Sequence, residues 1–164
     1  MADVTKVTSA KPKIGGAIYS APFGTLLPTD ATVALNPAFK ALGYISEDGL
    51  TNENTASTEN IKAWGGDIVD TVQTEKTDKF TYKLIESLNI DVLKEIYGKD
   101  NVEGDIETGI TIKANTKELA QHSVVIEMIL KGDVLKRIVI PNGKIGEVGE
   151  IKYTDAETVG YEVT

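Results

Sequence analysis

Residues 58–98, TENIKAWGGDIVDTVQTEKTDKFTYKLIESLNIDVLKEIYG, decide the fold, because the side-chain period changes once within them. The run 58–64 is extended and ends on the only tryptophan, Trp64, before a turn at Gly65-Gly66. Beyond it, 67–76 is rich in β-branched residues, and 79–86 sets Phe80, Tyr82 and Leu84 against Lys79, Thr81 and Lys83. Alternation with period two marks a strand with one buried face. From Asn89 the spacing becomes helical, with Ile90, Leu93 and Tyr97 on one face. Asn89 can cap the start, Asp91 suits the first turn, and Gly98 can end the helix in a left-handed conformation. The stretch reads as a hairpin arm running into a single helix.

Outward from it, the chain is strand and loop. Residues 1–12 lack periodicity and read as an N-terminal arm, leaving 13–164 as one domain. A short strand is expected at 13–21 and a prolyl loop at 22–30, where Pro22, Gly24 and Pro28 deny helix and ladder. Asn36-Pro37 through Gly43 suits one helical turn. Residues 44–50 suit a strand bearing Glu47 and Asp48. Residues 51–58 hold one apolar side chain, Ala56, and with no stripe to bury they are expected to form a long exposed loop.

After the helix, 99–108 reads as an acidic loop and 110–114 alternates. The nearly continuous apolar run 123–130 turns at Gly132-Asp133 into 134–140, and Pro141-Asn142-Gly143 carries a strong hairpin signal. Strands are expected again at 144–153 and 159–164. The last alternates and then stops, which suggests an edge awaiting a partner, or truncation. Many short strands with tight turns and one helix define a mainly β chain, a sandwich or barrel with a long loop and an extended N-terminal arm.

Bulk properties narrow the function. The 164 residues carry 17 bases and 25 acids, a net charge of -8, which gives no electrostatic footprint for binding phosphates. There is no cysteine, so disulfides and cysteine-based zinc sites are excluded. The longest apolar runs are too short to span a bilayer. His122, the only histidine, has no pair at metal-ligand spacing and reads as an ordinary residue leading into a strand. Ser123 lacks the glycine frame of a nucleophile elbow. Gly143, Gly146 and Gly149 precede a strand rather than a helix, so they match no nucleotide fingerprint. With 25 acids, any chosen carboxylate pair is uninformative. No catalytic, metal or cofactor residues are assigned.

Several stretches resemble the major tail proteins of long non-contractile-tailed bacteriophages of Gram-positive bacteria. They are GGAIYSAPFGTLLPTD at 15–30, LGYISEDGL at 42–50, ENIKAWGGD at 59–67, VQTEKTD at 72–78 and LKRIVIPN at 135–142. The likeness runs from about Lys11 to the end. It implies a structural virion protein of tail tube fold, with six subunits per ring and rings stacked into a hollow tube. Double-stranded DNA would pass through without specific binding, and an acidic balance suits such a conduit. Expected partners are further copies of the chain and, by resemblance, tape measure, tail terminator and distal tail proteins. No membrane and no cofactor are implied, and assembly would take place in the bacterial host cytoplasm. Proteins of this kind usually continue past the position of Thr164.

Within that reading, Glu47, Asp48, Glu53, Glu59, Lys62 and Trp64 are the expected contacts between subunits or rings. Ile90, Leu93 and Tyr97 are the expected core face of the helix. The segment 46–64, where Glu47, Asp48, Glu53 and Glu59 outnumber Lys62, is expected to join subunits and calls for a basic surface opposite, with Lys11, Lys13 or Lys136-Arg137 as candidates. Two other classes stay open on residues alone. One is a carbohydrate-binding adhesin module using Trp64 with Tyr44 or Tyr161 as stacking platforms. The other is a small β-rich hydrolase built on a carboxylate pair.

Overall fold

The computed structural model describes residues 1–13 and 15–164. Ile14, inside the strand expected at 13–21, lies outside the described residues. Ten strands and one α-helix are described: β1 Ala10–Pro12, β2 Ile18–Pro22, β3 Lys40–Ala41, β4 Ile45–Lys62, β5 Ile68–Leu84, α1 Ile90–Tyr97, β6 Val102–Asp105, β7 Gly109–Ile112, β8 His122–Leu130, β9 Val134–Gly143 and β10 Tyr161–Val163. They form two open sheets facing each other as a sandwich, plus a small β6–β7 hairpin. Among the described residues neither sheet closes into a barrel.

β8 is the spine of the first sheet. It pairs with β9 on one side and with β1 and then β2 on the other, and β3 follows β2. The register aligns Ile18 with Ile126 and Ile138, and Tyr19 with Val125 and Val139. Residues directly opposite share a face, so these two rows point to opposite sides. Ile18, Val124 and Ile126 join the main core, whereas Val125 and Ala21 pack with Phe39, Leu27 and Leu35 beneath the 23–39 loop. Burial on both faces explains why 123–130 is nearly continuously apolar instead of alternating.

The second sheet, β10-β5-β4, closes the main core from the other side with Tyr82, Leu84, Tyr161 and Val163. Helix α1 adds Val92, Leu93 and Ile96 as buried residues, with Ile90 and Tyr97 half-buried against the same cluster. Asn89 caps it by accepting from the Asp91 amide at 3.0 Å, and Gly98 ends it at φ 93°.

Two polar knots cross these layers. Under the helix, the Ser20 hydroxyl lies 2.9 Å from both Glu95 carboxylate oxygens, and His122 Nδ1 lies 3.4 Å from Glu95 Oε1. His122 opens β8, and its link to the helix has no signature in sequence, since it joins residues far apart in the chain. On the other face, Glu127 is 4% exposed and accepts from Lys13 Nζ at 2.8 Å and from Arg137 Nε at 2.8 Å. Arg137 Nη1 also donates to the carbonyls of Asp30 at 2.5 Å and Val33 at 2.9 Å, fastening the loop over the sheet. Burial pushes the Glu127 pKa up, but the hydrogen bonds and charges of Lys13 and Arg137 outweigh it and hold the carboxyl below its ordinary value.

Several expectations are corrected. Residues 51–58 are not a loop. They lie inside β4 and pair residue by residue with β5, from Thr51 opposite Thr81 to Thr58 opposite Gln73. The ladder is satisfied by backbone groups alone, so it needs no apolar period. Residues 36–43 form a turn at Pro37-Ala38 and the short β3, not a helical turn. The 99–108 segment holds a 3-10 turn at Lys99–Asn101 and β6. Pro141 to Gly143 continues β9, with Gly143 opposite His122, and the Pro141 carbonyl accepts from Ser123 Oγ at 2.7 Å. β8 extends far enough to keep pairing, so Asn142-Gly143 makes no turn. Residues 144–153 are irregular apart from one bridge, Val148 to Val163. Ala10–Pro12, assigned to the N-terminal arm, form β1 along β8.

β10 is no waiting edge. β5 pairs with one side of it, and on the other the Thr164 amide donates to the Glu147 carbonyl at 3.0 Å while the Gly149 amide donates to the Glu162 carbonyl at 2.8 Å.

Candidate assembly surface

β4 and β5 leave the sandwich together. From the Leu50–Tyr82 pair to the Lys62–Ile68 pair the hairpin runs roughly 40 Å at strand rise. Over that length the side chains are almost all exposed on both faces. What holds it is the ladder and a few cross-strand polar pairs, such as Asn52 Nδ2 to Asp78 Oδ1 at 2.7 Å and Thr71 Oγ1 to Asn60 Oδ1 at 2.9 Å. Register shifts at 57–58 and 61–62, and a bulge between Ile45 and Leu50, bend it.

The expected contact residues all lie on this arm, exposed and dispersed. Glu47 and Asp48 sit in the bulge at its root, Glu53 and Glu59 along β4, Lys62 at the end of β4, and Trp64 at the tip. Trp64 is 107% exposed, which removes any core role. Ile61, Ile68 and Val69 near it in sequence are also exposed, Ile61 opposite Asp70 and Ile68 opposite Lys62, so apolar and charged side chains alternate at the tip while the shaft is acidic. Glu53, Glu59, Asp67, Asp70, Glu75 and Asp78 stand against Lys62, Lys76 and Lys79.

Of the basic partners considered, Lys13 and Arg137 are taken by Glu127, whereas Lys11 and Lys136 are exposed. Sequence reasoning could not separate these, because the difference is which base faces Glu127 across the ladder. The outer edge of β9 pairs with no strand among the described residues.

A second apolar surface lies at the other end of β5. Ile85, Leu88, Ile90 and Ile106 line an open groove of about 570 Å³ together with Glu86. Nothing in the sequence flagged it, since Leu88 and Ile106 belong to different loops.

Enzymatic and lectin readings find little here. Among the described residues no group of three or more His, Cys, Asp or Glu is placed to hold a metal. Tyr161 is 2% exposed, so it cannot offer a stacking face. Tyr44 and Trp64 flank opposite ends of β4 and form no common platform. Tyr161 belongs instead to a packed cluster, edge-on to Tyr97 at 6.2 Å, where burial and the neighbouring Tyr153 push its phenol up to about 12.

The family described as phage tail tube protein matches residues 12–164. The chain belongs to that family. No curated protein and no solved structure matches it. It is therefore a structural component of a bacteriophage tail, not an enzyme. No helix among the described residues is long and apolar enough to cross a membrane.

Proposed function

We propose that this tail tube protein forms homo-hexameric rings that stack into the hollow tube of a long non-contractile tail, and that double-stranded DNA travels through the tube. The observation that carries this reading is the arm: a hairpin ladder that projects from the sandwich with almost every side chain beyond the Asn52–Phe80 pair exposed. A two-stranded ribbon alone is marginal in water, so a neighbour is the natural source of its remaining contacts. Glu47, Asp48, Glu53, Glu59, Lys62 and Trp64 then serve as contacts between subunits or rings. The free β9 edge supplies a place for sheets of adjacent subunits to join, since ring closure removes edges. Resemblance of the quoted stretches points to phages of Gram-positive bacteria, with assembly in the host cytoplasm beside tape measure, tail terminator and distal tail proteins. The net charge of -8 favours a lumen that does not hold DNA.

Gel filtration followed by negative-stain microscopy across concentration and salt tests the proposal. Rings and tubes are expected. A protein that stays monomeric at high concentration, or that binds duplex DNA tightly at physiological ionic strength, overturns it.

A further inference from the structure

A strand buried on one face has its register fixed by the side chains it must bury, and the arm has almost none. Along 53–57 and 75–79 nearly every side chain is exposed, so a slip along the ladder misplaces little apolar surface. The root of the arm has slack as well. Ile45 stands opposite Leu84 and Leu50 opposite Tyr82, so residues 46–49 of β4 face Lys83 alone. A bulge of that size can take up or release residues if β4 slides. Ile45 and Leu50, on either side of it, are only partly buried against the main core.

One carboxylate holds the lower end of this bulge. Glu86 Oε1 accepts from the Tyr44 amide at 2.9 Å, beside the bond from the Ile85 amide to the Tyr44 carbonyl at 3.1 Å. Glu86 Oε2 accepts from Asn89 Nδ2 at 3.1 Å, and Oδ1 of the same Asn89 caps α1. Asn89 Nδ2 also lies 3.4 Å from the Ala41 carbonyl in β3, a strand of the first sheet. The carboxylate thus ties the start of β4 to the helix cap and, through it, to the opposite sheet. Gly43 makes room for it. Its φ is 72°, and a Cβ at that position would overlap the Glu86 carboxyl group.

We propose that Glu86 is a positioning residue that fixes the register of β4 on β5, and with it which side chains stand opposite one another along the whole arm. The absence of cysteine lets register be read chemically in the isolated subunit. Ala56 lies opposite Lys76, and both are exposed. Directly opposed Cβ atoms sit about 4.5–5.5 Å apart and can be bridged, whereas diagonal neighbours about 7–8 Å apart cannot. Ala56→Cys with Lys76→Cys therefore reports the native register. Ala56→Cys with Thr74→Cys, or with Asp78→Cys, reports a slip of two residues in one direction or the other.

In a glutathione redox buffer the native pair should oxidise and the slipped pairs should stay reduced. Adding Glu86→Ala should raise oxidation of at least one slipped pair tenfold or more relative to the native pair. Gly43→Ala, which drives a methyl into the carboxyl group, should act likewise, and joining it to Glu86→Ala should add little. Glu86→Gln keeps an oxygen for the Tyr44 amide but loses the Asn89 bond, so it should fall between, and it serves if Glu86→Ala folds poorly. A general loss of stability lowers the melting temperature without transferring oxidation from one pair to another. The consequence for assembly rests on the tail tube reading. A slip of two moves Glu53, Glu59 and Lys62 roughly 7 Å along β5, so Glu86→Ala should raise the concentration needed for tube growth several-fold, and the native-pair disulfide should restore it. Slipped pairs that stay reduced in both Glu86 variants overturn the proposal and leave the tail tube reading untouched. Wild-type protein that makes neither rings nor tubes overturns that reading, while a transfer of oxidation to a slipped pair would still support the role of Glu86.

Discussion

β8 and the outer part of β5 are both antiparallel strands with long unbroken ladders, yet one is buried on both faces and the other on neither. In β8 the stretch from Ser123 to Glu127 is buried on both faces, so its hydrogen bonds are sheltered. In the arm the same bonds compete with water, and Thr, Glu, Asp and Asn fill both faces. Ladder formation is thus common to both, and burial alone separates a stabilising strand from one that waits for contacts. The difference assigns stability to one region and assembly to the other, and it can be broken by substitutions that move one without the other.

The largest expected effect lies at the loop-side knot of the first sheet. Arg137→Ala leaves the buried Glu127 with Lys13 alone and strips the Asp30 and Val33 carbonyls of a donor. Breaking a buried pair from one side costs about 3–5 kcal/mol. Urea denaturation should show it, and a loss under about 1 kcal/mol would mean that Lys13 and water satisfy Glu127. Next comes Leu93→Ala, where a fully buried leucine of the main core is truncated, for about 2–5 kcal/mol. Both substitutions should leave the concentration dependence of assembly unchanged in the protein that remains folded.

Acid sharpens the same contrast. Glu127 has a folded pKa below its ordinary 4.5, so the stability it contributes is complete above that value and is lost as pH falls through the lower folded one. Asp30, lowered to about 2 mainly by Thr32 and Val33 hydrogen bonds, acts in the same direction but is exposed. Urea midpoints taken downward from neutral pH should therefore fall below about 4.5, less steeply in Glu127→Gln than in the wild type. An identical acid limb in that variant would show that other carboxylates carry the effect.

These contrasts also explain what the sequence could tell. The helix was legible because Asn89, Asp91 and Gly98 mark its ends and its apolar spacing is helical. The alternation of Phe80, Tyr82 and Leu84 was legible because β5 at its root has one face in the core. Residues 51–58 were not, since a strand with both faces in water carries no period and its polar composition matches that of a loop. Asn142-Gly143 misled because a hairpin signal is local, whereas β9 continues only because β8 lies beside it. Glu47, Asp48, Glu53 and Glu59 stood out in the sequence as an acidic stretch leading to the only tryptophan, Trp64. The groove was invisible, being made by a loop before the helix and a hairpin after it.

The smallest effect on stability should come from the largest deletion. The arm must be removed as paired strands, since cutting 52–58 alone would leave β5 unpartnered over that length. Asn52 lies directly opposite Phe80, so residues 53–79 can be excised and the ends joined by Asn-Gly in a two-residue turn. The excised ribbon buries no side chain of its own subunit, and isolated ribbons are marginal in water. Chemical denaturation should therefore place the shortened protein within about 1 kcal/mol of the parent, inside the range of ordinary surface changes. Rings should still form, because β9 and the sandwich are untouched, but tubes should not grow at any concentration that supports them in the parent. Loss of several kcal/mol would show that the arm stabilises its own subunit after all. Normal tubes from the shortened protein would show that stacking runs through the sandwich, and the contrast between the two strands would then carry no functional meaning.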